Sequence, residues 1–294
     1  MLKLINKKIQ QIILRKKGMI TPESVFFITG CSSGIGKVWS QSLLEKGYKV
    51  VLTARNIEDI AHLNDKYPTT SLCLELDVTK SNTIKFAVQK AIEKFGNIHV
   101  LINNAGVGYY GIMENIDVEL AKYLFDVNVF GVVRVIKEVL PHMRREKKGF
   151  IINISSLSAF SSIYANGIYS ASKAALNCLG ESLTQEVKGL NIRCLTINLG
   201  ETKSSFYKNS IVNTNVHSDY NTVILDLLEN FQKNKYYNPQ DTKKIIEKLV
   251  QYLENNANIP HKLFLGNETF EVIKPYIASI KEILSINIIK RDSK

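Results

Sequence analysis

VFFITGCSSGIG, residues 25–36, joins a short apolar run to a cluster of glycines. The apolar run VFFIT (25–29) has the continuous pattern of a strand that is buried on both faces of a parallel sheet. The glycines permit a tight turn and a close approach of the backbone to a phosphate group at the start of a following helix. Their spacing is G-x-x-x-G-x-G rather than the usual G-x-G-x-x-G. A glycine cluster alone can be an ordinary turn, but this position favours a phosphate-binding loop.

The same alternation of strand and helix patterns continues along the chain. The further candidate strands are KVVLT (49–53), LCLELD (72–77), HVLIN (99–103), FIINIS (150–155), IRCLTIN (192–198) and a short one near KLFLG (262–266). The candidate helices are 35–46, 56–66, 80–95, 117–147, 165–189, 222–231, 240–254 and 268–285. Alternating units of this kind imply a parallel sheet with helices on both faces. We therefore predict a doubly wound α/β fold with about seven strands.

The chain shows no linker that would divide this fold. We predict one domain over residues 21–294, preceded by a basic extension over residues 1–20. Residues 203–238 are irregular and rich in Asn, Ser, Lys and Tyr. Because ligands in such sheets bind beyond the carboxyl ends of the strands, a segment at about 200–238 is a candidate substrate lid. An ordinary surface excursion is the alternative.

Composition narrows the class of protein. Hydrophobic residues make up 45% and charged residues 22%, which is typical of a soluble globular protein. The sequence contains no apolar run long enough to cross a bilayer and no secretory signal pattern. Its four cysteines lack the spacing of metal ligands or of a disulfide framework, so we predict free thiols, no metal site and a cytoplasmic protein.

The net charge of +11 is concentrated at the N-terminus. Residues 1–18 contain six basic and no acidic residues, which accounts for +6. We interpret this segment first as a helix packed on the domain or frayed in solvent. Peripheral attachment to an anionic membrane ranks second, because its apolar face is narrow. Nucleic-acid binding ranks third and is not expected, since no recognition motif accompanies the charge.

The end of the second candidate strand indicates which dinucleotide the glycine loop would hold. An enzyme that uses NAD usually has Asp or Glu there to bind the ribose diol. The sequence is Leu52-Thr53-Ala54-Arg55, and the Arg55 guanidinium suits a 2′-phosphate. We therefore expect NADP(H), with NAD(H) as the alternative. A solvated Arg55 without such a role is the other interpretation.

YSASK, residues 169–173, is the candidate source of acid–base chemistry. Positions four apart lie on one face of a helix, so Tyr169 and Lys173 are predicted to lie side by side. A cation close to a phenol favours the phenolate and lowers the phenol pKa towards neutrality. Such a tyrosine could exchange protons at working pH. The alternative is a buried ring beside a solvated amine.

Five motifs in this order and spacing resemble the single-domain branch of the short-chain dehydrogenase/reductase family, which has a Rossmann-like fold. They are TGCSSGIG (29–36), NNAG (103–106), Asn128 in DVNVFG, Ser156 in NISS, and YSASK (169–173). The resemblance covers about residues 24–200 and extends weakly to PHKLFLG (260–266).

The resemblance implies four catalytic residues. Tyr169 would donate a proton to a carbonyl, or accept one from an alcohol. Lys173 would lower the pKa of Tyr169 and bind the nicotinamide ribose. Ser156, which lies thirteen residues before Tyr169, would polarise the substrate oxygen, with Ser155 as its rival. Asn128 would anchor a water that relays protons to Lys173.

The resemblance also implies a set of cofactor-binding residues. They are Gly30, Ser32, Ser33, Gly34, Ile35, Gly36, Arg55, Asp77, Val78, Asn104, Ala105, Gly106, Tyr169, Lys173 and Thr202. One departure follows the sixth strand, where the family usually has Pro-Gly and this chain has Leu199-Gly200. The hydroxyls of Thr202 and Ser204 would still reach the nicotinamide amide or the pyrophosphate. The departure affects the geometry of the lid and leaves the catalytic group intact.

These observations lead to an expected function. We expect an NADP(H)-dependent oxidoreductase that transfers hydride between nicotinamide and a carbonyl or secondary alcohol of an apolar small molecule. The residues that favour an apolar pocket, unless they simply pack the core, are Tyr109, Tyr110, Leu157, Phe160, Tyr164, Phe206 and Tyr207. The alternatives are a cofactor-binding regulator or scaffold without catalysis and, more remotely, an epimerase or dehydratase. The resemblance implies a homodimer or homotetramer that pairs helices 117–147 and 165–189.

Overall fold

The computed structural model describes residues 18–202, 206–207, 209–233 and 241–285, with the backbone alone at 230–233. Nearly all of the predicted basic extension, and Ser204 in the predicted lid, therefore lie outside the described residues. Residues 203, 205, 208 and 234–238 of the predicted lid, residue 240 of the predicted helix 240–254 and residues 286–294 of the predicted domain also lie outside the described residues.

The described strands and helices alternate as predicted, with small shifts of their boundaries. The strands are β1 (Val25–Ile28), β2 (Lys49–Ala54), β3 (Ser71–Glu75), β4 (Val100–Asn103), β5 (Tyr109–Tyr110), β6 (Gly149–Ser156), β7 (Ile192–Leu199), β8 (Ile211–Val212) and β9 (Lys262–Leu265). The longer helices are α1 (Gly34–Glu45), α2 (Glu58–Lys66), α3 (Ser81–Phe95), α4 (Val118–Phe125), α5 (Gly131–Arg145), α6 (Gly167–Glu186), α7 (Asn221–Lys233), α8 (Thr242–Asn255) and α9 (Thr269–Ser285).

Seven strands form one parallel sheet in the order β3-β2-β1-β4-β6-β7-β9. The chain winds outward from β1 to β3 and then crosses to β4 on the other side. The strand order reverses between β1 and β4, where parallel sheets of this kind bind ligands at the carboxyl ends of the strands. The doubly wound, single-domain α/β fold predicted from the sequence is confirmed.

Both faces of the sheet are covered, which explains why the strands are continuously apolar. Phe26 of β1 belongs to the core layer that includes Trp39 and Leu249, whereas its neighbour Phe27 belongs to the opposite layer with Val88. Successive side chains of a strand point to opposite faces, so each layer requires an apolar residue at alternate positions. A strand that supplies both layers has no polar face.

Two features differ from the expected pattern. The predicted helix 117–147 is not continuous, because a π-helical turn over Asp126–Phe130 separates α4 from α5. Such turns are rare and occur often at functional sites. In addition, β5 and β8 form a separate two-stranded parallel ladder. This ladder attaches the predicted lid segment to the chain that follows β4.

The described residues provide three further observations about the predicted class of protein. All four cysteines are free thiols, of which Cys178 is exposed. The described ranges contain no group of three or more histidines, cysteines or acidic residues that could hold a metal ion. None of the described helices combines the length and the hydropathy needed to span a membrane.

Candidate active site

A cleft of about 320 Å³ opens at the carboxyl ends of the central strands. Such a volume is typical of a small-molecule site. Most residues predicted from the sequence line it: Gly30, Ser32, Ser33, Gly34, Ile35, Arg55, Asp77, Val78, Asn104, Ala105, Gly106, Ser156, Tyr169, Lys173 and Thr202. Gly36 and Asn128 are not among the lining residues. Both lie behind the surface of the cleft.

The glycine turn after β1 depends on two glycines. Gly30 has a φ of +73°, and a Cβ there would lie 2.9 Å from the Cα of Ala105. A Cβ at Gly36 would lie 2.2 Å from the carbonyl oxygen of Gly30 and 2.4 Å from Nδ2 of Asn104. Real Cβ atoms do not approach other atoms this closely, so a side chain at Gly36 would push the turn apart. Gly36 therefore shapes the turn by close packing and does not line the cleft.

The start of α1 faces this turn with free hydrogen-bond donors. The N-cap residue Ser33 has an extended backbone, and its side chain makes no capping hydrogen bond. The first N–H groups of a helix have no partner within the helix and carry its positive dipole end. An uncapped helix start next to a glycine turn suits a phosphate group. The residues present therefore fit the pyrophosphate of a dinucleotide.

Asn104 and Thr29 hold the turn against the end of β4. Nδ2 of Asn104 donates to the carbonyl oxygens of Thr29 and Gly30, at 2.9 Å in each case. Oγ1 of Thr29 accepts from the backbone nitrogens of Asn104 and Ala105, both at 3.0 Å. The NNAG motif thus positions the glycine turn in addition to lining the cleft.

Arg55 and Asp77 lie at the far end of the cleft, after β2 and β3. Nη1 of Arg55 donates to the hydroxyl of Tyr123 at 3.3 Å. Burial raises the pKa of Asp77, but two hydrogen bonds from Thr79 and the nearby charges of Lys80 and Arg55 bring it below its usual range. Asp77 is therefore a stable carboxylate at neutral pH, and Arg55 supplies a positive charge to this end.

The structure separates the two candidate serines. Oγ of Ser155 donates to the carbonyl oxygen of Lys173 at 3.1 Å and accepts from Asn177 at 2.8 Å, so its hydroxyl is used within the fold. Oγ of Ser156 accepts from the backbone nitrogen of Ser158 at 3.1 Å. Ser156 also forms a hydrogen bond with Tyr169. This geometry favours Ser156 over Ser155 as the residue that would meet a substrate.

Tyr169 and Lys173 lie side by side on α6, as their spacing predicts. Nζ of Lys173 is 5.7 Å from the ring centroid of Tyr169 and donates to the carbonyl oxygen of Ile154 at 2.9 Å. Burial raises the pKa of Tyr169 to about 12, while the hydrogen bond with Ser156 lowers it by less. Burial lowers the pKa of Lys173 to about 8.

These pKa values show that the expected lowering of the tyrosine pKa is wrong for the protein alone. Each group is buried, and a low-dielectric environment disfavours the charged form of both side chains. Burial is the larger cause of the shift in the pKa of Tyr169, and the hydrogen bond with Ser156 opposes it. Tyr169 therefore keeps its proton at neutral pH and is ready to donate it.

Asn128 lies in the π-helical turn and is 1% exposed. Its Oδ1 accepts from the backbone nitrogen of Val107 at 2.9 Å. Its Nδ2 donates to the carbonyl oxygen of Val107 at 3.0 Å and to Oγ of Ser172 at 3.1 Å. The side chain thus connects the chain after β4 to α6, on which Tyr169 and Lys173 lie. Its predicted role in holding a water stays a prediction.

The aromatic residues and the leucine that were expected to form an apolar pocket divide into two groups. Tyr110, Leu157, Phe206 and Tyr207 line the cleft. The ring of Phe206 lies 5.4 Å from that of Tyr169, centroid to centroid. The others lie elsewhere: Tyr109 is buried in the core, Phe160 packs against Phe264, and Tyr164 bonds Asp226.

Two glutamates in the cleft were not predicted from the sequence. Glu268 is 7% exposed and accepts a hydrogen bond from the backbone nitrogen of Glu201, whose carboxylate in turn accepts one from Tyr207. Burial raises the pKa of Glu201, and the hydrogen bond from Tyr207 opposes this effect. A signal for Glu268 was available, because it follows the carboxyl end of β9 and such ends meet at the cleft. No pattern in the sequence distinguishes Glu201.

A family model described as short chain dehydrogenase matches residues 24–215. This range contains the glycine turn together with Ser156, Tyr169 and Lys173. The chain belongs to the short-chain dehydrogenase family.

Relatives of this short-chain dehydrogenase cover most of its length. It is 36% identical over 214 residues to a 3-ketodihydrosphingosine reductase of Bacteroides thetaiotaomicron, which covers 72% of this chain and 77% of that protein. A solved short-chain dehydrogenase from Streptomyces avermitilis has 28% identity and a TM-score of 0.80, covering 90% of this chain and 95% of the other. A family structure from Burkholderia phymatum in complex with NAD has 20% identity and a TM-score of 0.73, covering 95% and 99%. The last comparison supports the fold alone.

Proposed function

We propose that this protein is an NADP(H)-dependent oxidoreductase that transfers hydride between nicotinamide and a carbonyl or secondary alcohol of an apolar small molecule. The observation that carries the proposal is the position of Ser156, Tyr169 and Lys173 in one cleft with the glycine turn. Family membership supports the reaction type. The uncapped start of α1 supports a dinucleotide in the same cleft.

Three side chains of the cleft would carry out the proton transfer and orient the substrate. A bound nicotinamide supplies or accepts the hydride. Tyr169, whose pKa burial raises to about 12, holds a proton that it can donate to a carbonyl oxygen. Ser156 donates a hydrogen bond to the same oxygen and so orients it. Lys173 has a pKa of about 8, lowered by burial, and can return a proton to Tyr169 near neutral pH.

The choice of NADP(H) rests on the end of β2. Ala54 and Arg55 line the cleft there, where an NAD enzyme would have a carboxylate for the ribose diol. A guanidinium binds phosphate through paired hydrogen bonds, which gives a 2′-phosphate an advantage over a diol. NAD(H) remains the alternative cofactor.

An apolar substrate is supported by the walls of the cleft near Tyr169. Phe206, Tyr207, Tyr110 and Leu157 line the cleft, and the ring of Phe206 lies 5.4 Å from that of Tyr169. The similarity to a 3-ketodihydrosphingosine reductase supports a ketone on a long hydrocarbon chain as the first substrate to test. Phe206 and Tyr207 belong to the segment at about 200–238, which we propose as the substrate lid. β8 and the hydrogen bond from Tyr220 to Glu114, at 2.6 Å, attach this segment beside the cleft.

The test combines a substrate screen with two matched variants. The wild-type protein is mixed with NADPH and a panel of ketones, including long-chain ones, and loss of NADPH absorbance is followed. Tyr169→Phe should retain the thermal shift with NADP⁺ and lose about 10²–10⁴-fold of turnover. Ser156→Ala should lose much more activity than Ser155→Ala. Normal turnover by Tyr169→Phe would falsify the assignment, and absence of turnover across the panel with intact cofactor binding would favour a regulator or scaffold.

We also propose that the protein forms a homodimer or homotetramer. Apolar side chains are exposed along the predicted pairing helices: Phe130 at the end of the π-helical turn, Val133 on α5 and Leu179 on α6, at 54%, 40% and 39%. Exposed apolar groups on adjacent long helices favour burial against another copy.

A further inference from the structure

The last described helix, α9, has a broad apolar surface and no buried residue. All residues from 274 to 285 are exposed. Phe270 is 82% exposed and Leu284 is 72% exposed. A helix in water gains most of its stability by packing an apolar face. The exposed face of α9 therefore requires a partner.

The body of the protein contacts α9 near its start. Val272 lines the cleft, as does Glu268 immediately before the helix. The ring of Tyr276 meets the ring of Phe160 edge-on, with centroids 5.5 Å apart. The helix thus begins at the cleft, and its C-terminal half lies on the outside of the protein.

The helix α9 is amphipathic, with apolar and charged side chains on different faces. At 3.6 residues per turn, the apolar side chains fall within an arc of roughly 160°. They are Phe270, Val272, Ile273, Tyr276, Ile277, Ile280, Ile283 and Leu284. Lys274 and Lys281 border this arc on one side, whereas Glu271 and Glu282 lie on the opposite face. An apolar face bordered by lysines is the pattern of a helix that lies in a lipid–water interface.

The charge of the chain favours an anionic surface as the partner. The net charge is +11, of which residues 1–17 contribute six basic side chains. Residues 286–294, which follow α9, contribute three basic residues and one acidic residue. Basic segments of a protein are attracted to anionic lipid headgroups.

We propose that α9 is an interfacial helix that docks the protein on an anionic lipid surface. The apolar arc enters the headgroup region, and Lys274 and Lys281 meet the phosphates. Because α9 begins at the cleft, docking brings the cleft close to the lipid phase, where an apolar substrate dissolves. The docking itself does not depend on the proposed reaction.

The test is vesicle flotation of the full chain, which requires no turnover. One set of vesicles contains phosphatidylcholine with about a third phosphatidylglycerol, and the other contains phosphatidylcholine alone. The disrupting variant is I277E/L284E, which places two carboxylates in the apolar arc. The matched control is A278E/S285E, which adds the same charge at exposed positions on the polar side of the same helix. Light scattering records the oligomeric state of all three proteins.

The wild-type protein should float with the anionic vesicles and much less with the neutral ones. I277E/L284E should lose at least about tenfold of this binding, because two apolar side chains no longer enter the lipid. A278E/S285E should keep most of it. The proposal is overturned if the wild type does not float, or if both variants bind equally. It is also overturned if I277E/L284E changes only the oligomeric mass, which would assign the face to a second copy.

Discussion

Lys173→Met is expected to make the fold more stable at neutral pH while it abolishes turnover. Lys173 is 5% exposed, and burial lowers the pKa of its ammonium from 10.5 to about 8. At 1.36 kcal/mol per pKa unit, a difference of about 2.5 (10.5 − 8) means that the buried charge costs the folded state about 3 kcal/mol. Methionine fills a similar volume without a charge.

The substitution also removes a favourable contact. Nζ of Lys173 donates to the carbonyl oxygen of Ile154 at 2.9 Å. Without this donor, the buried carbonyl oxygen of Ile154 has lost a hydrogen bond, which lowers the free energy of unfolding by about 1–3 kcal/mol. The net gain in the free energy of unfolding at pH 7 is therefore about 1 kcal/mol, or a rise in Tm of about 2–4 °C for a chain of this size.

The gain should depend on pH in a defined direction. The pKa of Lys173 is lower in the folded state, so between about pH 8 and pH 10.5 the unfolded chain binds more protons and the stability of the wild type rises with pH. Below this window both states are protonated, and the folded state carries the full cost. Above it both are neutral, and the variant is less stable than the wild type by the lost hydrogen bond.

Urea unfolding of both proteins at pH 7 and near pH 10.5 measures this difference. Lys85→Met, at an exposed position of α3, is the matched control and should change little at either pH. NADPH turnover at pH 7 reports the loss of function. If Lys173→Met is destabilised by the same amount at both pH values, the ammonium does not cost the fold stability and the reasoning fails.

Three further predictions follow from the cleft and from the helix surfaces. Arg55→Gln should weaken the binding of NADP⁺ about ten- to a hundredfold in thermal-shift titrations and leave the binding of NAD⁺ nearly unchanged. An equal loss of affinity for both cofactors would contradict the proposed role of Arg55. Gly36→Ala should lower stability in urea by about 2 kcal/mol or more, since its Cβ would lie 2.2 Å from the oxygen of Gly30, whereas Gly189→Ala, with no atom within 4 Å, should be nearly neutral. Light scattering should give a dimeric or tetrameric mass for the wild type and a smaller one for Phe130→Glu; a monomeric wild type contradicts the proposed assembly.

Much of the cleft was predictable because it is formed by strand ends and by short motifs. The glycine turn, Asn104, Ser156 and Tyr169 all follow or face the carboxyl ends of parallel strands, and the strand order places those ends together. Each residue is close in sequence to the element that positions it. Short sequence motifs were therefore sufficient to predict these residues of the cleft.

The spacing to Tyr169 favours Ser156 over Ser155, but the hydrogen-bond partners of the two serines could not be predicted from local patterns. Both serines end the same strand, and adjacent residues of a strand point to opposite faces. Only the packing of α6 against β6 determines that Ser155 bonds the backbone of Lys173 while Ser156 meets Tyr169. The π-helical turn at Asn128 also depends on residues that are remote in sequence, because the side chain of Asn128 forms hydrogen bonds with Val107 and Ser172.

The sequence by itself determined the order of strands and helices, the glycine turn and the side-by-side position of Tyr169 and Lys173, because these depend on backbone periodicity and on neighbours along the chain. The tertiary structure alone decided the protonation of that pair. Burial by distant segments raises the pKa of Tyr169 and lowers that of Lys173, reversing the expectation from their proximity. It also brought Glu268 to the cleft and left α9 exposed. The solvation of an ionisable side chain depends on all the residues that pack around it, and most of these are remote in sequence.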